Sequence, residues 1–265
     1  MARVPEASEG PGVTVGVDDL IARYYRHAPA EEVDATDRAE LAAAVRSHYE
    51  LAADRVPGRA VVRMLEPALG EHGWSTPGTV VQIVTDDMPY LVDSVVSQLA
   101  RMGLSVRRLV HPIMVVRRDL AGGLLEVLAD CDPDEAPPGS LVESWMYLEI
   151  DRRVDPERAG EVQQRLRAVL TDVREVVEDT ERMVGTAVAL ADDLTAAPPP
   201  LPAAELAEGA ALLRWLANRH FIFLGYRHYE LVHEPVEQPD QPQGNGDVPP
   251  GNGTVPALRA VLASG

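Results

Sequence analysis

The sequence predicts an α+β fold in which helices pack on one face of an antiparallel sheet. Three observations carry this. TVVQIVT (79–85) is a β-rich run that feeds an amphipathic stretch at 88–103. LVESWMYLEID (141–151) alternates, with Val142, Ser144, Met146, Leu148 and Ile150 on one side and Glu143, Trp145, Tyr147 and Glu149 on the other. Asp155-Pro156-Glu157 then opens a long helix that keeps Val162, Leu166, Leu170 and Val173 on one stripe. With a strand at 104–119 and its hairpin partner at 121–130, the order is β-α-β-β-β-α, close to the split βαββαβ sandwich of ferredoxin-like folds. The far sheet face stays open in that architecture unless something covers it.

The remaining elements flank this core. Residues 1–16 are rich in Gly, Pro and Glu and read as a disordered lead-in. Residues 17–70 form a helical region with a short strand. Helical spacing begins at Val17, a second helix runs from about Thr36 to Ala53 with Asp34 or Thr36 as its cap, and RAVVRML (59–65) is the strand. The β/α core occupies 75–180. In its first helix, Asp86 and Asp87 stand at the start, Pro89 fits the first turn and Gly103 suits the end. A helical connector spans 181–219, interrupted by AAPPPLP (196–202). HFIFLGYRHYELV (220–232) then reads as the first strand of a further, truncated domain, and 234–253 is a Pro/Gly-rich linker or insertion.

Composition excludes several functions. The net charge of −18 repels nucleic acid, and no apolar run reaches the length of a membrane span. The start, MARVPEASEGPG, is not a secretory signal, and a lone cysteine, Cys131, gives neither a disulfide framework nor a thiolate cluster. A cytoplasmic protein is expected. All 24 basic residues are arginine, so no Schiff base, P-loop clamp or lysine base can form on this chain. Neither a G-x-G-x-x-G fingerprint nor a Walker motif occurs, so no cofactor is expected here.

Other constellations weigh towards structure. DCDPDE (130–135) spaces its carboxylates like a calcium loop, but Glu135 stands where glycine is required and Leu141 where the bidentate Glu belongs. The seven histidines lack the helical pairing of a zinc hydrolase, and His111 before Pro112 reads as a structural histidine. The pairs Arg107-Arg108, Arg117-Arg118 and Arg152-Arg153 read as partners of the surplus carboxylates, with an anionic ligand as the alternative use. Trp145 and Tyr147 stand on the open sheet face. Either another domain or subunit covers them, which makes them interface residues, or the long helices or residues 59–65 do.

The segment from Val84 to Asp119 resembles the first ACT-type domain of the large bacterial NAD-specific glutamate dehydrogenases. Asp87, Met88, Pro89, Tyr90 and Leu91 match the Asp-x-Pro-x-Leu turn of ACT domains, and Gly103 matches the end of their first helix. His111-Pro112, ESWMYLEIDR (143–152) and LLRWLANRHFIFLGYRHYEL (212–231) match the dehydrogenase more specifically, so the resemblance covers about residues 17–232. It implies an enzyme several times longer, whose NAD-binding domain and catalytic lysines lie downstream and convert L-glutamate to 2-oxoglutarate. ACT-type modules in such enzymes are associated with oligomer contacts and amino-acid control. The expected partners are therefore the rest of the dehydrogenase, other subunits of a homo-oligomer, and an amino-acid effector. By the same resemblance the effector sits at the first strand–helix turn, on Asp86, Asp87, Met88, Pro89 and Leu91, with its carboxylate on the helix-start N–H groups. The alternative is a stand-alone amino-acid sensor or interaction module, which a stop codon after Gly265 would favour.

Overall fold

The computed structural model describes residues 16–128, 130–227, 229–235 and 256–262. The expected lead-in, apart from Gly16, and most of the Pro/Gly-rich stretch lie outside the described residues. The chain divides into two compact units, one ending at Glu178 and the other starting at Asp179.

The first unit is built on one antiparallel sheet. Its strands are β1 (Val61–Leu65), β2 (Val80–Asp86), β3 (Val106–Val110), β4 (Ile113–Arg118), β5 (Leu124–Val127) and β6 (Leu141–Ile150). They run β1-β2-β6-β4-β5, with β3 also paired to β6. The helices are α1 (Val17–Tyr24), α2 (Ala30–Asp34), α3 (Arg38–Ala52), α4 (Leu69–His72), α5 (Leu91–Arg101) and α6 (Pro156–Ala196). The expected order β-α-β-β-β-α is present as β2, α5, β3/β4, β5, β6 and α6. The antiparallel sheet and its helices fit an α+β, ferredoxin-like fold.

Two differences have physical causes. The strand expected at 104–119 is split at His111-Pro112, because proline has no N–H for the ladder. Both halves stay on β6, with Val110 opposite Tyr147 and Ile113 opposite Ser144, and the Pro112 carbonyl accepts from the Trp145 N–H at 3.0 Å. The edge beside β2 is filled by β1, which precedes the core in sequence, with Val61 opposite Val84 and Leu65 opposite Val80. Among the described residues no strand following α6 pairs with β2.

Central strands β2 and β6 are buried on both faces, and their alternation sorts side chains into two cores. Val81, Ile83, Met146, Leu148 and Ile150 pack with Leu91, Val95 and Leu99 of α5 and Val162, Leu166 and Leu170 of α6. Val80, Val84, Trp145 and Tyr147 pack with Leu20, Ile21 and Tyr24 of α1 and Leu41, Ala44 and Val45 of α3. The sheet face expected to be open is therefore covered by the chain's own amino-terminal helices. The result is three layers instead of two. Gly78, just before β2, shows how closely the chain approaches β6. A Cβ there would lie 2.0 Å from the Ile150 carbonyl oxygen, so only glycine fits.

The cap of α3 is Asp37, neither Asp34 nor Thr36. Its side chain accepts from the Ala39 N–H at 2.7 Å. The second unit holds the end of α6, helix α7 (Ala203–Trp215) and the paired strands β7 (Tyr229–Pro235) and β8 (Pro256–Leu262). Met183, Ala187 and Ala191 are buried here, and Arg214 pairs with Asp192 at 2.8 Å. The helix expected to reach residue 219 ends at Trp215 in a π-type turn, where Arg219 takes φ +59°. Residues 221–227 are irregular, and the strand begins later than expected, at Tyr229. Among the described residues no helix is long and apolar enough to cross a membrane.

His48 ties α3 to the sheet. Its Nε2 lies 3.2 Å from the Ile83 carbonyl, which can only accept, so Nε2 carries the proton and Nδ1 accepts from the Tyr24 hydroxyl at 2.6 Å. Burial lowers its pKa to about 3, against a partial counter-effect from the Ile83 hydrogen bond. The sign follows from proton counting. Below pH 6.5 the unfolded chain takes up a proton that the folded chain refuses down to pH 3, so stability falls with acidification across that window. Burial shifts His111 in the same direction. From pH 7 to pH 5, His48 alone removes about 2 kcal/mol. Urea unfolding of His48→Gln, which cannot titrate, is expected to lose that much less than wild type over the same interval; equal losses would overturn the assignment.

Candidate functional site

The turn between β2 and α5 holds the residues expected at a ligand, and a buried network of charges supports it from beneath. Glu143 of β6 sits at its centre with no exposed side-chain surface. Burying a carboxylate is costly unless charge and hydrogen bonds compensate. Here Oε1 accepts from Arg55 Nη2 at 2.6 Å and from Arg118 Nε at 2.6 Å. Oε2 accepts from Arg118 Nη2 at 2.9 Å and from the Trp145 indole N–H at 3.0 Å. The spare guanidinium donors reach the Arg59 carbonyl at 3.1 Å and the Gly122 carbonyl at 2.8 Å. Burial works against the charge of Arg55, but Glu143 and Asp86 outweigh it and raise its pKa further.

Asp86 closes the network at the end of β2. It accepts from Arg55 Nη2 at 2.6 Å and from the Gly58 N–H at 2.8 Å, and it meets Arg174 of α6. Burial pushes its carboxyl up; the Arg55 hydrogen bond and charge, with Gly58 and Arg174, overcome this and hold it below the ordinary carboxylate value. Of the five turn residues, Asp86 is thus engaged by the protein itself. Leu91 is buried in the core, and Met88 packs partly against it.

Asp87 and Pro89 face solvent. The Asp87 N–H donates to the Val142 carbonyl at 2.9 Å, which fixes the turn to β6. Partial desolvation raises the Asp87 carboxyl above its ordinary value, opposed by the Met88 N–H. Tyr90, the residue before α5, takes φ +71° and provides no side-chain cap. A tyrosine in the left-handed region is strained, and such strain is held where the surroundings over-determine the turn. Chemically the turn presents one exposed carboxylate beside the uncapped start of a helix, a pair that complements an ammonium and a carboxylate.

Trp145 and Tyr147, expected to face another domain or subunit or to be covered by the chain itself, are buried among α1, α3 and Trp74. Trp145 is edge-on to Tyr49 at 6.3 Å, and Tyr147 lies 5.8 Å from Trp74. Within the first unit Trp145 is 0% exposed and Tyr147 3%, so little of either side chain reaches the surface. Of the paired arginines, Arg108, Arg117, Arg118, Arg152 and Arg153 meet carboxylates, among them Arg117–Glu126, Arg118–Glu143 and Arg153–Glu66. Asp132 caps a short 3₁₀ turn by accepting from the Asp134 N–H at 3.0 Å, and His111 bonds Ser144 Oγ at 2.5 Å.

Sequence reasoning missed the Arg55–Glu143–Arg118 triad. A glutamate among inward-facing aromatics was the available signal, because a buried charge requires a partner. Its removal is the sharpest test of the network. Glu143→Gln, which keeps the shape but leaves two arginines under-compensated, is expected to cost about 3–5 kcal/mol in chemical unfolding. A loss within about 0.5 kcal/mol, the range of ordinary surface changes, would refute that role.

Comparison with known proteins agrees with this architecture. Residues 20–166 match the family described as glutamate dehydrogenase, ACT1 domain. The NAD-specific glutamate dehydrogenase of Halomonas elongata is 32% identical over 223 residues, covering 84% of this chain and 14% of that protein. The enzyme of the same name from Pseudomonas aeruginosa is 37% identical over 178 residues, 65% of this chain and 10% of that protein. That of Mycobacterium tuberculosis is 30% identical over 216 residues, 77% of this chain and 13% of that protein. The chain thus spans only 10–14% of the length of these relatives. It belongs to the glutamate dehydrogenase family and carries that family's ACT1 domain.

Proposed function

We propose that this chain is the regulatory and assembly segment at the amino-terminal end of a cytoplasmic NAD-dependent glutamate dehydrogenase, and that it is itself non-catalytic. The parent reaction is L-glutamate + NAD⁺ + H₂O to 2-oxoglutarate + ammonium + NADH. The match of residues 20–166 to the ACT1 domain carries this reading. The residues support the non-catalytic half, because a chain without lysine or dinucleotide fingerprint offers neither the amine chemistry nor the phosphate cradle that the reaction needs.

For regulation, the reading uses the β2–α5 turn. An amino-acid effector sets its carboxylate on the first N–H groups of α5 and its ammonium against Asp87, with Met88 and Pro89 beside it. Asp86 and Leu91 act from below by holding the turn in place. Assembly with other subunits uses surfaces other than Trp145 and Tyr147.

Calorimetric titration of the chain with glutamate, aspartate, leucine and arginine tests the effector role. Heat is expected from at least one of them, weakened about tenfold or more in Asp87→Ala, since a charged hydrogen bond is lost. No heat from any of the four, or unchanged affinity in Asp87→Ala, would overturn the turn as the site. Formation of NADH from glutamate and NAD⁺ by the purified chain would overturn its non-catalytic character.

A further inference from the structure

On the other side of the sheet from α5, a crevice of about 40 Å³ lies between the amino-terminal helices and strands β3 and β6. Tyr25, Glu40, Trp74, Arg108, Tyr147 and Glu149 line it, and exposed Ser75 stands at its rim. Two of these carry buried donors that lack a hydrogen-bond partner. Trp74 is 3% exposed, and its buried indole N–H has no hydrogen-bond partner. Buried Nε and Nη2 of Arg108 also lack hydrogen-bond partners, although Nε faces Glu32 at 3.2 Å and Nη1 lies 3.7 Å from Glu149. Native interiors seldom strand such donors, and each one calls for an explanation.

The acceptors beside them are held in place. Glu149 accepts from the Tyr147 hydroxyl at 3.0 Å, and Glu40 accepts from the Ser75 N–H at 3.3 Å. Burial raises the Tyr25 phenol to about 12, so it stays neutral at the wall. Glu40 and Glu149 outnumber Arg108, so a simple anion meets net repulsion. A simple cation leaves the stranded donors unused. A group with adjacent positive and negative charges satisfies both sets.

We infer that this crevice binds the head group of an α-amino acid, its carboxylate taken by Arg108 and the Trp74 indole and its ammonium by Glu149 and Glu40. The size agrees. A water needs roughly 10–15 Å³ of such space, so about 40 Å³ holds roughly three or four heavy atoms, most of the carboxylate, α-carbon and ammonium of the head group, while the side chain reaches past Ser75. The site is distinct from the β2–α5 turn and does not depend on it.

Nitrogen-edited NMR of the whole chain resolves the question, because it has three tryptophans and hence three indole N–H signals. The Trp74 signal is identified by its loss in Trp74→Phe, and persistence of the other two shows that this variant folds. Glycine, the minimal zwitterion, is expected to move the Trp74 signal saturably in the millimolar range, whereas acetate and methylammonium leave it in place. In calorimetric titration, which does not depend on the Trp74 signal, Trp74→Phe and Arg108→Gln are expected to weaken glycine binding about tenfold or more, as loss of a charge-assisted hydrogen bond does. A Trp74 signal that ignores glycine would mean that only water meets these donors, and an equal response to acetate would mean a plain anion site; either overturns the inference. If Asp87→Ala abolishes glycine binding and Trp74→Phe does not, the ligand belongs to the turn, and this site is refuted while the effector role stands.

Discussion

Glu143 is the point on which the first unit is organised. It reaches inward from the middle strand of a sheet with no solvent at either face, so its charge survives only because Arg55 and Arg118 meet it there. Those arginines come from distant parts of the chain. Arg55 follows α3, and Arg118 ends β4. Asp86 extends the network to the end of β2 and, through Arg174, to α6. Two carboxylates, Glu143 and Asp86, therefore tie the segment after α3, the central sheet and the long helix α6 together. A hydrophobic cluster of equal volume would bury more apolar area, but it would tolerate sliding between layers. Directional charge-assisted hydrogen bonds do not.

The same network explains how the β2–α5 turn stands. Asp86 and Asp87 are adjacent in sequence and opposite in role. The first is turned inward to two arginines and a backbone N–H, and the second faces solvent. Strain at Tyr90 is sustainable because Leu91 is anchored in the core on one side and the Asp87 N–H is bonded to β6 on the other. A turn held this way is pre-organised, so little ordering cost would fall on whatever meets its exposed side.

Much of this was legible from the residues. Period-two alternation at 141–151 assigned Met146, Leu148 and Ile150 to one face and Trp145 and Tyr147 to the other, and the two cores divide along that line. Helical spacing found α5 and α6 for the same reason, since a stripe of apolar residues must face the sheet. What local pattern could not supply was pairing across long separations. That β1 fills the edge beside β2, and that α1 and α3 close the far face, depends on contacts between segments dozens of residues apart. The candidate site divides in the same way. Its position at the turn followed from the Asp-x-Pro-x-Leu pattern, but which aspartate points outward followed from Arg55, a residue with no local signal. The strand expected at 220–232 is present only in its last part. Aromatic, β-prone residues promised a strand from His220; the backbone leaves helical geometry at Asn218 and Arg219, and the strand starts at Tyr229.

Of the stretches that carry the family resemblance, 143–150 lies in the interior, whereas most of the described part of 212–231 is exposed. In ESWMYLEIDR, Glu143 centres the ion network, Ser144 bonds His111, and Trp145 through Leu148 fill the two cores. His111-Pro112 sets the break between β3 and β4, and Leu91 anchors the turn. A motif under such packing constraint tolerates few replacements, because alternatives leave a cavity or an unpaired charge. Likeness in the buried positions therefore transfers the fold with great force and the function with little, because these side chains do not reach the surface. Functional differences between members of this family have to be sought among the exposed residues that these anchors hold in place. In this chain those are Asp87 and Pro89 on one side of the sheet and, on the other, the crevice rim at Ser75.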